Sequence, residues 1–291
     1  MDIRYEAPRT VADAVRLINA DPNAKILAGG TDLLVQFRAG VRQPTAFVDV
    51  KRIPDLVTIA VDRAGLHLGA AVSAAEICER AELKQIWPGL VEAVHLIGST
   101  QIQGRATVGG NLCNASPSAD TTCALIVNQA ECVIAGPNGE RTVPVEAFCT
   151  APGKTALERG ELLVSIRVPR PMNSPAARTA DAYVRLIPRS EMDIAVAGAG
   201  VSVTLDASGA CTAARVAVAA VAPTALLVAE AANALVGSRL DAAALERAAK
   251  ASIAAARPID DKRGTADYRR MVVGVLTKRA AAIAAARASS H

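Results

Sequence analysis

Aromatic residues are scarce in this 291-residue sequence, at 2% of its composition. Proteins that bind single-stranded nucleic acid stack the bases on aromatic side chains, and this sequence offers almost none. Its net charge is only +4, and its Lys and Arg residues are scattered rather than gathered in a block. Such blocks are what attract nucleic acids and membrane surfaces. We therefore expect no nucleic-acid partner.

Long hydrophobic runs are also missing. The apolar stretches are rich in Ala and interrupted by Gly or Pro, and none reaches the roughly 18 apolar residues that a transmembrane helix needs. The opening sequence, MDIRYEAPRT, has no apolar stretch after a basic start, unlike a secretory signal. With 51% hydrophobic and 21% charged residues, the composition is typical of a compact soluble protein. We expect a cytoplasmic protein with no transmembrane segment.

The six cysteines form no CxxC pair, and the cytoplasm would keep them reduced. An iron–sulfur centre is the alternative interpretation for four of them, namely Cys113, Cys123, Cys132 and Cys149. Their wide and irregular spacing favours ordinary small buried residues instead. The histidines are isolated from one another in the sequence, and we predict no metal site from His67, His95 or His291.

Two common nucleotide-binding fingerprints are absent. The sequence has neither GxGxxG between a strand and a helix nor GxxxxGK[ST]. We therefore expect neither a Rossmann dinucleotide site nor a P-loop ATPase.

Local patterns predict short strands and helices that alternate in the first half of the chain. Capping boxes at Thr10 and Ser73 each begin a helix, and residues 90–97 form another. Around Pro137-Asn138-Gly139 the sequence predicts a hairpin of residues 131–135 and 141–145. Further strands are predicted at residues 25–27, 46–50, 66–70 and 162–168.

The composition changes at residues 170–181, which hold Pro171, Asn173, Ser174 and Pro175 and indicate a linker or exposed crossover. We place a domain boundary near residue 175, with an α+β domain before it and a smaller antiparallel sheet backed by helices after it. In the second part, the sequence predicts strands at residues 195–205 and 211–221, and helices at residues 225–236, 241–256 and 265–286.

Two Gly-Gly segments are the strongest chemical signal. Residues 28–32 (AGGTD) follow a predicted strand directly, and residues 107–111 (TVGGN) repeat the pattern about 80 residues later. Binding a phosphate without a dedicated cation requires several backbone N–H groups that converge on one anion, and residues without a Cβ allow that approach. Two such loops suit a pyrophosphate, which has two anionic groups.

The same segments resemble a known family. Residues 107–120 (TVGGNLCNASPSAD) resemble the signature of the FAD-binding medium subunits of molybdenum hydroxylases, such as aerobic carbon monoxide dehydrogenase and xanthine dehydrogenase. Residues 28–34 (AGGTDLL) are similar to the first flavin loop of that family. Further similar segments are residues 161–169, 193–197 and 268–280, so the likeness extends over nearly the whole chain.

The resemblance implies an α+β fold with two parts. Residues 1–175 would form a two-subdomain FAD-binding domain of the vanillyl-alcohol-oxidase or PCMH type, with FAD extended between the subdomains. Residues 176–291 would form a smaller α+β domain with a three-stranded antiparallel sheet and helices.

The resemblance also implies which residues contact FAD. The two Gly-Gly loops would hold the pyrophosphate and ribityl chain, Ile97 would lie near the flavin, and Leu163 would lie at the isoalloxazine edge. Asp120 would accept a hydrogen bond in the flavin site, and Arg185 stands where many relatives carry Lys, which puts the tuning of the flavin in doubt. The full set is Ile26, Leu27, Ala28, Gly29, Gly30, Thr31, Asp32, Leu33, Ile97, Thr107, Val108, Gly109, Gly110, Asn111, Asp120, Leu163 and Arg185.

Several of these residues could instead have a structural role and make no contact with FAD. Asp32 and Asp120 are typical turn caps, and Arg185 is compatible with a surface salt bridge. Ile97 and Leu163 are apolar and would suit the core of any fold.

The implied activity is electron transfer, with no catalytic acid–base pair in this chain. A large subunit would carry the molybdenum cofactor, a small subunit two [2Fe–2S] clusters, and FAD in this chain would pass electrons to an external acceptor. The working form would be a dimer of three-subunit units. One alternative is a flavin-binding or assembly module without these partners. Another is a self-contained flavin oxidase, which the lack of a His cluster and an aromatic pocket after residue 175 disfavours.

Overall fold

The computed structural model describes residues 3–290, and the first part of the fold is a short parallel sheet with two helices. Its elements are β1 (Arg4–Glu6), α1 (Val11–Ala20), β2 (Lys25–Leu27), α2 (Leu33–Arg38) and β3 (Ala46–Asp49). Strand β3 lies between β1 and β2 and pairs with both in parallel. The helix α1 begins as predicted, because the Thr10 hydroxyl accepts a hydrogen bond from the Asp13 N–H at 3.1 Å.

The second part is a five-stranded antiparallel sheet covered on one side by helices. Its strands are β4 (Ile59–Val61), β5 (Gly65–Gly69), β6 (Glu131–Gly136), β7 (Gly139–Pro144) and β10 (Leu162–Pro169), in the spatial order β4-β5-β10-β6-β7. Its helices are α3 (Ala74–Glu79), α4 (Ala81–Ile86), α5 (Pro88–His95), α6 (Thr100–Gln103), α7 (Val108–Asn114), α8 (Asp120–Val127) and α9 (Val145–Phe148). A 3-10 helix (Pro54–Leu56) and a two-stranded ribbon of β8 (Cys149–Ala151) and β9 (Lys154–Thr155) complete it.

The central strand β10 joins these two parts because both of its faces are buried. Leu162 and Val164 pack with the first part of the fold, whereas Leu163 and Ile166 pack against the helices on the other side. A register shift between Leu163 and Ser165 locally interrupts the alternation. A strand buried on both faces is a continuous hydrophobic run, which explains the pattern of residues 162–168.

The third part is a second antiparallel sheet with three helices. Its elements are β11 (Asn173–Ser174), β12 (Ala177–Leu186), β13 (Ala197–Asp206), β14 (Cys211–Ala219), β15 (Leu226–Leu227), α10 (Ala229–Leu235), α11 (Ala242–Ala255) and α12 (Ala266–Ser290). The small side chains of Ala280, Ala281 and Ala284 are fully buried, which lets α12 lie close to the sheet. None of the helices in the described part of the chain has the length and hydropathy needed to span a bilayer.

Most of the predicted elements are confirmed, including the 131–145 hairpin, where Gly136 pairs with Gly139. The helix predicted from residue 225 is wrong at its start, because Leu226 and Leu227 pair with β14 as a short edge strand. The sheet predicted with three strands has five, since β11 and β15 each add two residues at its edges. The domain boundary that we predict at residue 175 lies in the turn between β11 and β12.

A buried aspartate connects the third part to the second. The carboxylate of Asp181 on β12 is 2% exposed and accepts hydrogen bonds from the N–H groups of Gly89 at 2.9 Å and Leu90 at 3.0 Å. The helix α5 begins at Pro88, which has no N–H, so these are its first free donors. The Asn128 amide donates a further bond at 2.7 Å. Asp181 therefore caps a helix that lies about 90 residues earlier in the sequence.

Replacing Asp181 tests this cap. We expect Asp181→Asn to lower the free energy of unfolding by about 1–3 kcal/mol, because the amide has one acceptor oxygen and leaves a buried donor unpaired. The matched control is Asp241→Asn, since Asp241 caps α11 from an exposed position and Asn caps helices as well as Asp does. Urea denaturation of both variants measures the difference, and equal midpoints would contradict the proposed role of Asp181.

Candidate functional site

A cleft runs between the two Gly-Gly loops and encloses about 1120 Å³ of space outside the protein atoms, part of it open to solvent. Most of the residues predicted to contact a cofactor line this cleft, and they come from both subdomains. They are Ile26, Ala28, Gly29, Gly30, Thr31, Asp32, Leu33, Ile97, Thr107, Gly109, Gly110, Asn111 and Leu163.

The first loop lies directly against the segment that leads to the second. A Cβ at Gly29 would overlap the carbonyl oxygen of Arg105, and the Cα of Ala106 would be 3.2 Å from it. Gly30 has φ = +77°, a left-handed conformation that glycine adopts most readily. The paired glycines therefore bring two backbones together and leave no side chain between them.

Side chains beneath the first loop hold one of its backbone carbonyl groups and so set the direction of the loop. The Lys51 ammonium donates to the Ala28 carbonyl at 2.9 Å and to Asp49 at 2.6 Å, and the Tyr5 hydroxyl donates to the other Asp49 oxygen at 2.5 Å. With the Ala28 carbonyl held there, the N–H groups of residues 29–32 have no hydrogen-bond acceptor among residues 3–290. Backbone donors of this kind need a partner, and a ligand or water in the cleft can supply it.

The second loop presents donors in a similar way. The Thr107 hydroxyl accepts from the Gly110 N–H at 2.9 Å and begins α7. Within the described chain, the N–H groups of Val108 and Gly109 have no acceptor. A Cβ at Gly109 would overlap the Ala70 carbonyl oxygen, so the loop is packed against β5 and its neighbouring turn. The Asn111 side chain accepts from the Thr121 hydroxyl at 2.6 Å, which ties α7 to α8.

The walls of the cleft are mainly apolar beyond the loops. Val50, Leu56, Leu157 and Leu162 line it together with the residues predicted from the sequence. The one acidic group on the β10 side, Glu161, receives two hydrogen bonds from Arg141, both at 2.7 Å. These bonds lower the pKa of Glu161 and leave it ionised. The cleft therefore combines a donor-rich floor with apolar walls, which suits a ligand with an anionic centre and a flat apolar ring.

Four of the predicted contact residues do not line the cleft. Leu27 and Val108 are buried beneath the loops. Asp120 and Arg185 form a buried ion pair at 2.5 Å, and the other Asp120 oxygen accepts from the Tyr183 hydroxyl at 3.0 Å. The alternative of a surface salt bridge for Arg185 is wrong, because its side chain is only 7% exposed.

The ion pair of Asp120 and Arg185 contains a carboxyl group with a shifted pKa and a buried nitrogen without a partner in residues 3–290. Burial raises the pKa of Asp120, although the Arg185 charge and the hydrogen bonds from Arg185 and Tyr183 oppose the shift. The Arg185 Nε is buried and has no hydrogen-bond partner among the residues that the structure describes. The turn-cap alternative does not describe Asp120, whose oxygens bind these two side chains, nor Asp32, which makes no side-chain capping bond to α2.

The cysteines are placed largely as expected. Cys123, Cys132 and Cys211 are buried, and burial raises the thiol pKa of Cys123 and Cys132. Cys113 departs from that expectation, because it is exposed and lines the cleft. Between residues 3 and 290, no group of His, Cys, Asp and Glu is arranged to hold a metal ion; His291 lies outside the described residues.

Sequence reasoning missed the support beneath the first loop. Asp49 ends β3 and Lys51 follows it, and β3 is the neighbour of the strand that leads into the loop. Once β2 and β3 are known to be adjacent and parallel, a charged pair at the end of β3 is expected near the end of β2. The sequence does not reveal that pairing on its own.

Comparison with known proteins decides the family. Residues 1–171 match the model of the FAD binding domain in molybdopterin dehydrogenase, and residues 182–284 match the CO dehydrogenase flavoprotein C-terminal domain. The chain belongs to the FAD-binding medium subunits of the molybdenum hydroxylases.

Individual relatives of this family extend over the whole chain. The carbon monoxide dehydrogenase medium chain of Hydrogenophaga pseudoflava is 36% identical, with 97% of each chain covered. The xanthine dehydrogenase FAD-binding subunit of Escherichia coli O157:H7 is 31% identical over 98% of this chain and 96% of the other. A crystal structure of carbon monoxide dehydrogenase from Hydrogenophaga pseudoflava superimposes with a TM-score of 0.92 at 35% identity, covering 99% of both chains. The resemblance and the fold class inferred from the sequence are therefore confirmed.

The buried ion pair gives a second prediction. We expect Arg185→Met to lower the free energy of unfolding by about 3–5 kcal/mol, because it leaves the buried Asp120 carboxylate without its cation. The double variant Asp120→Asn/Arg185→Met removes both charges and should recover most of that loss. Arg185→Lys keeps the cation and serves as the control. Urea denaturation at neutral pH measures all three, and equal losses in the single Met and the double variant would contradict a dominant charge effect.

Proposed function

We propose that this chain binds FAD in the cleft, with the pyrophosphate between the two Gly-Gly loops. The observation that carries the proposal is the convergence of unpaired backbone N–H groups from residues 29–32 and from Gly109 on one cavity, counted among residues 3–290. Two sets of donors match the two phosphates, and the absence of side chains at the glycines lets a ligand approach the backbone.

The rest of the cleft supports the same ligand. The apolar side chains of Ile26, Ile97, Leu162 and Leu163 line its walls and would exclude water from a flat aromatic ring. The residues present therefore fit FAD. We assign the pyrophosphate and ribityl contacts to the two loops and the flavin contacts to the apolar wall. Asp120 and Arg185 do not line the cleft, so they would act on the flavin region without contributing to its surface.

We propose further that the chain works as the electron-transfer subunit of a molybdenum hydroxylase. The chemistry that a bound FAD supplies is the passage of electrons from [2Fe–2S] clusters of a small partner subunit to an external acceptor. Substrate oxidation would take place at the molybdenum cofactor of a large subunit. This chain would bind and orient FAD and exclude water from it, and the assembly would be a dimer of three-subunit units.

The alternative of a module without partners is less well supported. The relatives named above are called a medium chain and an FAD-binding subunit, and such names describe parts of larger enzymes. The chain covers nearly the whole of each of them. A role within a heteromeric complex therefore accounts for this chain better than an isolated flavin carrier does.

The FAD proposal is tested with the purified full chain. We expect flavin absorption bands and one FAD per chain after heat release and chromatography. Gly29→Ala should weaken FAD binding at least tenfold, because its Cβ would overlap the Arg105 carbonyl oxygen and shift the loop. The matched control is Gly104→Ala, whose Cβ would have no atom within 4 Å.

Circular dichroism establishes that both Gly variants are folded before FAD is titrated. A wild-type chain that is folded, contains no flavin and takes up none on addition would overturn the proposal. A folded Gly29→Ala variant with wild-type affinity would remove the first loop from the site.

The proposed assembly is tested by recovery of the chain from its own cells. We expect the tagged chain to co-purify with two further chains in equal amounts, together with molybdenum and four iron atoms per unit, as two [2Fe–2S] clusters require. Metal analysis and mass spectrometry of the purified material measure this. Recovery of the chain with FAD and without either metal would favour the stand-alone module.

A further inference from the structure

Three side chains form a continuous hydrogen-bonded chain across the cleft, and none of them belongs to the contact residues predicted above. Gln36 lies on α2, Arg42 follows that helix, and Asn114 ends α7; all three line the cleft. The Arg42 Nε donates to the Gln36 Oε1 at 2.6 Å, and the Gln36 Nε2 donates to the Asn114 Oδ1 at 2.9 Å. We call this chain the Arg42–Gln36–Asn114 clasp. It joins the first subdomain to the second.

The clasp leaves strong donors free beside the cleft. Among residues 3–290, the two terminal nitrogens of Arg42 and the Nδ2 of Asn114 make no hydrogen bond to a side chain or to the backbone. Among residues 3–290, no carboxylate lies within ion-pair distance of Arg42. A guanidinium fixed at Nε has its plane fixed as well, and its terminal N–H groups then match a phosphate geometrically.

In the described part of the chain, Arg42 shares the cleft with one other cation, Lys25, and with the carboxyl groups of Asp32 and Glu161. Glu161 is bound by Arg141. Lys25 also lines the cleft, but none of the hydrogen bonds found in residues 3–290 fixes its ammonium group. Arg42 is therefore the cation that the fold orients beside the loops.

We propose that Arg42 binds the pyrophosphate of FAD through its terminal N–H groups, and that Gln36 and Asn114 hold it in place for this contact. The proposal rests on FAD binding in the cleft. FAD carries its charge at the pyrophosphate, and an oriented guanidinium adds a charge-assisted contact to the neutral backbone donors. The clasp also couples the contact to both walls, so a bound FAD holds the two subdomains together.

The direct test compares FAD with riboflavin, which has no phosphate, as ligands of the flavin-free full chain. We expect Arg42→Gln to weaken FAD binding by about 10- to 100-fold, as the loss of a charge-assisted hydrogen bond does. Its affinity for riboflavin should stay within twofold of wild type. The control is Arg38→Gln, because Arg38 is exposed on α2 and should not change the affinity for either ligand. Isothermal titration calorimetry gives all the dissociation constants.

The outcomes separate this proposal from FAD binding itself. If the wild type binds FAD and a folded Arg42→Gln variant binds it equally well, the role of Arg42 is refuted and FAD binding stands. An equal loss for riboflavin and FAD would also refute it, since a phosphate contact cannot affect riboflavin. If neither wild type nor Arg38→Gln binds FAD, the proposed function fails first.

Two further variants test the clasp, and they keep the proposal testable if Arg42→Gln does not fold. Arg42→Lys keeps the charge but lacks the planar guanidinium that the bond from Nε to Gln36 orients, and we expect an FAD affinity about 3- to 10-fold weaker than wild type. Asn114→Ala breaks the link between the walls, and we expect FAD to dissociate about 3- to 10-fold faster, measured by stopped-flow fluorescence. Wild-type values for both variants would overturn the positioning roles of Gln36 and Asn114.

Discussion

The meeting of two backbones at Gly29 and Arg105 determines how the two subdomains of this fold are arranged. No side chain separates them, because a Cβ at Gly29 would overlap the Arg105 carbonyl. Two loops from distant parts of the sequence therefore reach the same cavity, where the N–H groups of residues 29–32 and of Gly109 are unpaired within residues 3–290. Buried or partly buried donors without partners cost stability. An acceptor that binds in the cavity would therefore stabilise the native chain.

Side chains outside the loops decide which atoms face the cleft. Lys51 binds the Ala28 carbonyl, and the Thr107 hydroxyl takes up the Gly110 N–H. The first bond holds a carbonyl oxygen that would repel an anion, and the second fixes the start of α7. The loops supply the donors, and their supports set the direction in which those donors point. A substitution of Lys51 is therefore expected to weaken the binding of a ligand that Lys51 does not contact.

Local sequence patterns are sufficient to predict most of the helices and strands and both Gly-Gly loops. Caps, hairpin turns and Gly-Gly pairs depend on a few adjacent residues, and the predictions at Thr10, residues 131–145 and both loops reflect this. The ion pair of Asp120 with Arg185 and the bond between Gln36 and Asn114 span 65 and 78 residues. Such contacts depend on how the sheets pack, which periodicity does not specify. The edge strand at Leu226 was missed for the same reason, since it exists only because β14 offers it a partner.

The capping of α5 by Asp181 has a consequence for the autonomy of the two domains. A helix of the flavin domain obtains its N-terminal acceptor from the first long strand of the C-terminal domain, and Trp87 beside it is fully buried. Truncation of the chain after residue 171 would expose the end of that helix and the apolar surface around it. The boundary between the two family models is therefore crossed by a buried contact between the two domains. A flavin domain produced on its own would lack an acceptor that its own helix uses.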